Sequence, residues 1–114
     1  MARKTAKEKA VDNFVNDIFS LSNKCKSINE TNKLLITQYC RFVIICDEIS
    51  KKIFVSSNNE DFDNLVKNYE KLSKIILNLY KALSFDEIEE DIKECNNKYA
   101  DLMLENQEGD DFWY

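Results

Sequence analysis

Residues 62–83 read FDNLVKNYEKLSKIILNLYKAL, and this stretch decides the fold class. Its apolar residues recur at alternating steps of three and four, which is the repeat of a helix that buries one narrow stripe of side chains. The stretches before and after it show the same repeat, so three helices carry stripes that need partners. The three stripes are Leu35, Tyr39, Phe42, Cys46, Ile49 and Ile53; Phe62, Leu65, Tyr69, Leu72, Ile76, Leu79 and Leu83; and Phe85, Ile88, Ile92, Cys95, Tyr99 and Leu102.

Helix-breaking residues are scarce in this chain. It has no proline and a single glycine, Gly109, so little in the composition favours tight β-hairpins. We predict an all-α fold of four helices with a long central antiparallel helical hairpin whose stripes are coiled-coil-like. We also predict an oligomer, because 114 residues arranged in elongated helices bury such stripes poorly alone.

Capping residues predict where the helices begin. Thr5 and Ser84 are each followed three residues later by a glutamate, Glu8 or Glu87, which is the pattern of a capping box. A polar turn over 22–29 separates the first two helices. The expected bounds are Asn29 or Thr31 to about Phe54 for the second helix, about Asp61 to Leu83 for the third, and about Phe85 to Asn106 for the fourth; the first helix should bury Val11, Phe14, Val15, Ile18, Phe19 and Leu21.

Charge is distributed unevenly along the chain. The net charge is −5 at pH 7, but residues 1–33 carry +3, residues 34–83 carry +1 and residues 84–114 carry −9. We divide the chain accordingly into a basic N-terminal arm with helix 1 (1–33), a helical hairpin for oligomerisation (34–83), and an acidic helix with an aromatic tail (84–114). The gradient indicates a polyanionic partner at one end and a basic or apolar partner at the other. A drift in the composition of solvated faces is the alternative.

The composition argues against catalysis. The chain has no histidine, the commonest general base and metal ligand, and one glycine cannot form a glycine-rich phosphate loop. Four carboxylates of the fourth helix share a face, and without histidine we expect them to be solvated. They are Glu87, Glu90, Asp91 and Glu94. We predict no enzymatic activity, no catalytic residue, no metal and no cofactor.

The four cysteines, Cys25, Cys40, Cys46 and Cys95, form no CxxC pair. Cys40 and Cys46 are six residues apart, about 9 Å along a helix, which is too far for a disulfide. We expect reduced, structural thiols, with a disulfide or a metal site as weaker alternatives. No apolar run is long enough for a signal peptide or a membrane span, so we expect a cytoplasmic protein without a membrane partner.

Basic residues near the N-terminus form a candidate DNA-binding set. One group lies within the first ten residues, and the other flanks the turn between the first two helices. Lysine contacts with phosphates contribute affinity for DNA but little specificity for its base sequence. Several subunits in one assembly would multiply these contacts. Ordinary surface lysines are the alternative. The set consists of Arg3, Lys4, Lys7, Lys9, Lys24, Lys26 and Lys33.

The C-terminal tail differs from the rest of the chain. After Gly109 come two aspartates and three aromatic residues in a row, which cannot share one face of a helix. We predict a tail that presents aromatic anchors to another protein. The alternative is a tail that folds back over its own bundle. The candidate partner-binding residues are Asp110, Asp111, Phe112, Trp113 and Tyr114.

The order of these parts resembles the small subunit of the tailed-phage DNA-packaging terminase. The resemblance covers about residues 30–83. It rests on LITQYCRF at 35–42, on the polar connector VSSNN at 55–59, and on the helix that contains Tyr69, Leu72, Ile75 and Leu79.

The resemblance implies a non-enzymatic subunit that forms a homo-oligomeric ring in the bacterial host cytoplasm. Such a subunit binds the packaging start site on double-stranded viral DNA and recruits the large terminase subunit, which carries ATPase and nuclease activity. The hairpin would then assemble the ring. The candidate oligomerisation residues are Leu35, Tyr39, Phe42, Ile49, Leu65, Tyr69, Leu72, Ile76 and Leu79.

Two other interpretations remain open at this point. The first is a small helical adaptor or inhibitor of phage or mobile-element origin, which would bind a protein partner through its acidic C-terminal third. The second is a purely structural coiled-coil protein.

Overall fold

A computed structural model describes residues 5–55 and 60–105, with side chains for residues 5–53 and 62–99. Over these residues the chain is all-helical, as the sequence predicts, and no strand is found among them. Two short 3₁₀ segments, Glu30–Asn32 and Phe85–Ile88, precede the second and fourth helices. The four helices are α1 (Ala6–Phe19), α2 (Lys33–Val55), α3 (Glu60–Ala82) and α4 (Glu89–Glu105).

The start of α1 confirms the predicted capping box. The Glu8 backbone N–H donates to the Thr5 hydroxyl at 3.1 Å, and the Thr5 backbone N–H donates to the Glu8 carboxylate at 2.9 Å. These bonds satisfy two N–H groups that a helix leaves without partners at its start. The predicted apolar face is also confirmed: Val11, Phe14, Val15 and Ile18 are buried, and Phe19 and Leu21 pack against the core.

The turn before α2 is less polar than its composition indicated. Cys25 and Ile28 are buried in it and belong to the same core as α1. The second helix is predicted to start near Asn29 or Thr31, and a 3₁₀ segment that was not predicted starts there, where the Asn29 side chain accepts a hydrogen bond of 3.1 Å from the Asn32 backbone N–H. The helix proper follows directly from Lys33.

Helices α2 and α3 pack against each other. The Tyr39 and Tyr80 rings lie 6.5 Å apart, and the Cys46 thiol lies 3.7 Å from the Ser73 hydroxyl. Residues farther along α2 therefore contact residues earlier in α3.

The predicted capping box at Ser84 is wrong. Ser84 has φ 55° and ψ 35°, in the left-handed region, and its side chain makes no capping hydrogen bond. An N-cap that accepts from the third helical residue needs extended backbone angles, which this conformation does not supply. The chain instead turns sharply here, with a 3₁₀ segment over Phe85–Ile88, and α4 starts at Glu89 rather than near Phe85.

The core lies where all four helices meet, and aromatic rings fill its centre. Phe14 of α1 stacks on Tyr99 of α4 at 4.7 Å, and Tyr39 of α2 meets Phe85 edge-on at 5.2 Å. Helix α4 thus packs on α1 and α2 of its own chain. The Tyr39 hydroxyl accepts a hydrogen bond of 2.9 Å from the Asn96 amide, so its one polar atom is satisfied inside the core.

Candidate nucleic-acid interface

The lysines near the start of α1 are exposed on the surface. Lys7 forms an ion pair of 2.8 Å with Glu48 of α2, whereas Lys9 makes no ion pair within the described part of the chain. Both partners of the Lys7 pair are partly exposed, so the pair contributes little stability and opens readily. Arg3 and Lys4 lie outside the described residues.

The structure separates the two groups of predicted DNA-binding residues. Lys7 lies beside Glu48 and Phe14 lies beside Tyr39, so α1 runs against the direction of α2. Lys33 begins α2, fifteen residues before Glu48, which corresponds to about 22 Å along the helix axis. The helix 1 lysines and the turn lysines therefore lie at opposite ends of α2 rather than in one patch.

The turn lysines border an open depression of about 670 Å³. Lys24 and Lys26 contribute its basic rim, and Ser84 and Glu87 come from the other side. Lys24 is held at 3.2 Å by Asp91 of α4, whereas Lys26 has no ion-pair partner among residues 5–53 and 62–99. Of this group, Lys26 and Lys33 are the side chains left available to an anion.

The backbone of this turn is anchored to the end of α3. The Ser27 hydroxyl donates to the Leu83 carbonyl, and the Cys25 thiol lies 3.7 Å from the Ser84 carbonyl oxygen. The turn lysines therefore project from a fixed loop that sits against the junction of α3 and α4.

A polar cluster joins α4 to α1. The Tyr99 hydroxyl and the Lys98 ammonium both donate to the same carboxylate oxygen of Asp17. Burial alone would raise the pKa of Asp17, but the hydrogen bonds from Lys98 and Tyr99 outweigh it and hold that pKa below its usual value. The cluster is best satisfied with Asp17 ionised.

The cysteines are structural thiols in this fold. All four are free, with Cys25, Cys40 and Cys46 buried and Cys95 half-buried. Burial raises the pKa of the Cys40, Cys46 and Cys95 thiols, which disfavours the reactive thiolate. Within the described residues, no three cysteine or carboxylate side chains converge in a way that could hold a metal ion.

The predicted oligomerisation residues fall into four groups. Tyr39 is 1% exposed and lies inside the core of its own chain, so it is closed to a second copy. Ile76 and Leu79 pack against that same core. Leu35 and Tyr69 are exposed at 37% and 38%, and the remaining members, Phe42, Ile49, Leu65 and Leu72, are half-buried.

Three exposed apolar side chains are not among the predicted oligomerisation residues. Leu34 is 68% exposed, Leu77 51% and Ile75 41%. They lie beside the stripes rather than on them, which is why a search for the helical repeat passed over them. Their exposure could have been predicted from the sequence, because each is an apolar residue at a helix position outside the repeat.

The outer face of α3 carries a second set of lysines that the sequence analysis did not single out. Lys67, Lys71, Lys74 and Lys81 are exposed, and the first three border one depression together with Asn64, Asn68 and Glu70. Their spacing of four, three and seven residues is itself helical, so the signal was present in the sequence.

The aromatic tail, Asp110 to Tyr114, lies outside the described residues, and its predicted role stays a prediction. Among the helices that the structure describes, none combines the length and the apolar character needed to cross a membrane.

Comparison with known proteins identifies no relative. No protein-family model, no curated protein sequence and no solved structure matches this chain. The functional argument therefore rests on the residues and on their arrangement.

Proposed function

We propose that this chain is a non-catalytic DNA-binding subunit of a viral packaging machine, of the kind represented by the small subunit of the tailed-phage terminase. It assembles into a ring of identical copies, binds the packaging start site on double-stranded viral DNA, and recruits a large subunit with ATPase and nuclease activity. The observation that carries the proposal is a fixed turn at the start of α2, where Lys26 and Lys33 have no ion-pair partner among residues 5–53 and 62–99.

The turn suits contact with a phosphate backbone. Lys26 and Lys33 are exposed, and the hydrogen bonds of the neighbouring Ser27 and Cys25 hold the loop in place. Each lysine that meets a phosphate releases counterions, so binding should weaken steeply as salt increases. Two lysines in one subunit bind weakly, whereas a ring multiplies such contacts through avidity.

Exposed apolar side chains on α2 and α3 support self-association through these two helices. Leu34 and Leu35 lie at the start of α2, and Tyr69, Ile75 and Leu77 lie along α3. Burying them between copies would remove apolar area that a single copy leaves in water.

The experiment that tests this function measures molar mass and DNA affinity on the same preparation. Light scattering after size exclusion, over a range of concentrations and salt, should give one discrete mass of many subunits. Fluorescence anisotropy with a labelled DNA duplex should give an affinity that falls with salt. A monomer or dimer that binds no duplex at low salt would contradict the proposal.

A matched pair of variants assigns the DNA contact. The variant Lys26→Glu with Lys33→Glu should lose most duplex affinity while it keeps its mass. The control, Lys52→Glu with Lys93→Glu, changes the net charge equally at exposed lysines elsewhere and should bind almost as wild type does. Equal losses in the two variants would show that only overall charge matters.

An adaptor or inhibitor that binds one protein through the acidic end is the second candidate. It is favoured by the exposed carboxylates of the 3₁₀ segment and α4, namely Glu87, Glu89, Glu90 and Glu94. Such a surface could occupy a basic site on a target protein.

The role of the tail in the packaging proposal is tested by deleting residues 108–114. The deletion should weaken capture of a large packaging subunit and leave helicity unchanged.

A further inference from the structure

The lysines of α3 form one stripe on the side of the helix that faces away from the core. At 100° per residue, Lys67, Lys71, Lys74 and Lys81 fall within an arc of about 80°. The core-facing residues Ile76 and Leu83 lie on the opposite side of the same helix. From Lys67 to Lys81 the stripe is about 21 Å long.

Among the side chains that the structure describes, the stripe has no ion-pair partner. All four lysines are exposed, and none forms an ion pair within residues 5–53 and 62–99. Lys7, Lys24, Lys51 and Lys98, by contrast, each pair with a carboxylate of the chain. Their positive charge is already partly compensated, whereas that of the α3 stripe is not.

The side chains around these lysines are mostly hydrogen-bond donors. Asn78 lies within the arc, Asn64 lies about 20° outside it, and Asn64 and Asn68 border the same depression as the first three lysines. Between residues 62 and 82 the helix has four lysines and two carboxylates: Asp63, one turn before Lys67, and Glu70 at the edge of the stripe. Lysine ammonium and asparagine amide groups are typical contacts of phosphate oxygens.

We infer that this stripe is a second contact surface for the phosphate backbone of duplex DNA. The inference rests on the proposed function in one respect, since it takes duplex DNA as the ligand. It adds a surface that is separate from the N-terminal lysines. DNA carries one negative charge per about 1.7 Å of axis, so a row of cations about 21 Å long can lie against a densely anionic surface.

The stripe ends close to the turn that carries Lys26. Lys81 is two residues before Leu83, whose carbonyl accepts the hydrogen bond from Ser27. The fold thus joins the last lysine of α3 to the basic turn, although more than fifty residues separate them in the chain. A duplex that lies along α3 would meet both groups of lysines in succession.

An acidic helix of a second copy is a less suitable occupant. The exposed carboxylates Glu90 and Glu94 of α4 are interrupted by Lys93, and Asp91 is already paired with Lys24. Asparagines alternate with lysines on the α3 stripe, and they would leave such an interface with few matching charges. A phosphate backbone accepts hydrogen bonds along its whole length.

The test neutralises the stripe and compares it with an equal change elsewhere. The variant Lys67→Gln, Lys71→Gln, Lys74→Gln removes three positive charges from α3. The control, Arg41→Gln, Lys52→Gln, Lys93→Gln, removes three from other exposed positions. Glutamine retains good helix propensity, so both variants should keep wild-type helicity.

The readout is the salt dependence of affinity for a duplex of 30 base pairs. Each lost phosphate contact lowers the slope of log K against log salt by about 0.9, so the stripe variant should lose about 2 to 3 units of slope per bound subunit. At low salt its affinity should fall at least tenfold below that of the control. Equal slopes in the two variants overturn the inference.

A second measurement keeps the test decisive if the stripe variant changes its mass. Acylation of the wild-type protein, mapped by mass spectrometry with and without duplex, should show DNA protecting Lys67, Lys71 and Lys74 but not Lys52. Unchanged acylation of the α3 lysines overturns the inference. Protection of Lys26 alone would leave the proposed function standing without this surface, whereas wild-type protein that binds no duplex would remove both.

Discussion

Removal of one hydroxyl group from Tyr99 should loosen α4 by a predictable amount. Tyr99 is 8% exposed, its ring stacks on Phe14 and its hydroxyl donates to Asp17. The substitution Tyr99→Phe keeps the ring and its stacking but deletes this hydrogen bond. The prediction therefore isolates one polar contact between α4 and α1.

The expected magnitude follows from the surroundings of Asp17. A hydrogen bond to a charged acceptor contributes about 1.5–3 kcal/mol when buried. The Asp17 side chain is 34% exposed and keeps its contact with Lys98 at 2.9 Å, so water and Lys98 replace part of what is lost. We expect a loss of about 1 kcal/mol in the free energy of unfolding, which lowers Tm by about 4 °C in a domain of this size.

The loss should depend on pH. The pKa of Asp17 is held below its usual value of 3.8, so the stabilisation by the ionised carboxylate is complete above that value. It disappears as the pH falls through the lower pKa of the folded state. The difference between wild type and Tyr99→Phe should therefore be constant from pH 5 to 7 and shrink below pH 4.

Urea unfolding followed by circular dichroism at 222 nm measures this effect. One protein concentration must be used throughout, because self-association would shift the midpoint. The urea m-value should stay constant, since the surface exposed on unfolding does not change. The control is Tyr69→Phe, a tyrosine 38% exposed, which should leave the midpoint unchanged. A Tyr99→Phe midpoint equal to wild type at pH 7, or a difference that does not shrink as the pH is lowered below 4, would refute the reasoning.

Three further predictions concern the turn, the thiols and alkaline pH. Ser84→Gly should stabilise the chain by about 1 kcal/mol, seen as a higher Tm, because glycine adopts the left-handed conformation of Ser84 without steric cost. A thiol reagent at pH 7.5 should label the folded protein slowly at Cys25 and Cys40 and the urea-unfolded protein rapidly at all four cysteines; equal rates would contradict the buried core. Burial raises the pKa of Cys40 and Tyr39, so the folded state favours their neutral forms. The free energy of unfolding should therefore fall as the pH rises above about 9, where the unfolded chain begins to lose these protons. In Cys40→Ala the fall should be less steep.

The helical content and most helix boundaries followed from local sequence. The repeat of threes and fours and the lack of proline leave few alternatives to a helix, and Thr5 with Glu8 caps α1 as the pattern predicted. The same local pattern failed at Ser84. There the chain turns sharply, and Leu83 and Phe85 on either side of Ser84 are both buried in the core. The core residues that they contact are distant in the sequence, so a local pattern does not predict this turn.

The division of the stripes between the core and the surface could not be derived from the repeat. Tyr39 and Tyr69 occupy equivalent positions in their stripes, yet Tyr39 is 1% exposed and Tyr69 is 38% exposed. The difference arises because α1 and α4 cover the part of α2 around Tyr39, where Phe14 and Asn96 contact it. Periodicity states which residues share a face, but it does not state what covers that face.

The sequence by itself determined an all-helical chain with a basic start and an acidic end, because helix periodicity and charge are local properties. The tertiary structure decided which charges are available. It separates Lys7 from Lys33 by about 22 Å along α2, pairs Lys24 with Asp91, and brings Lys81 close to the Ser27 turn. These relations depend on how helices are oriented in space, and that orientation results from packing between residues far apart in the chain.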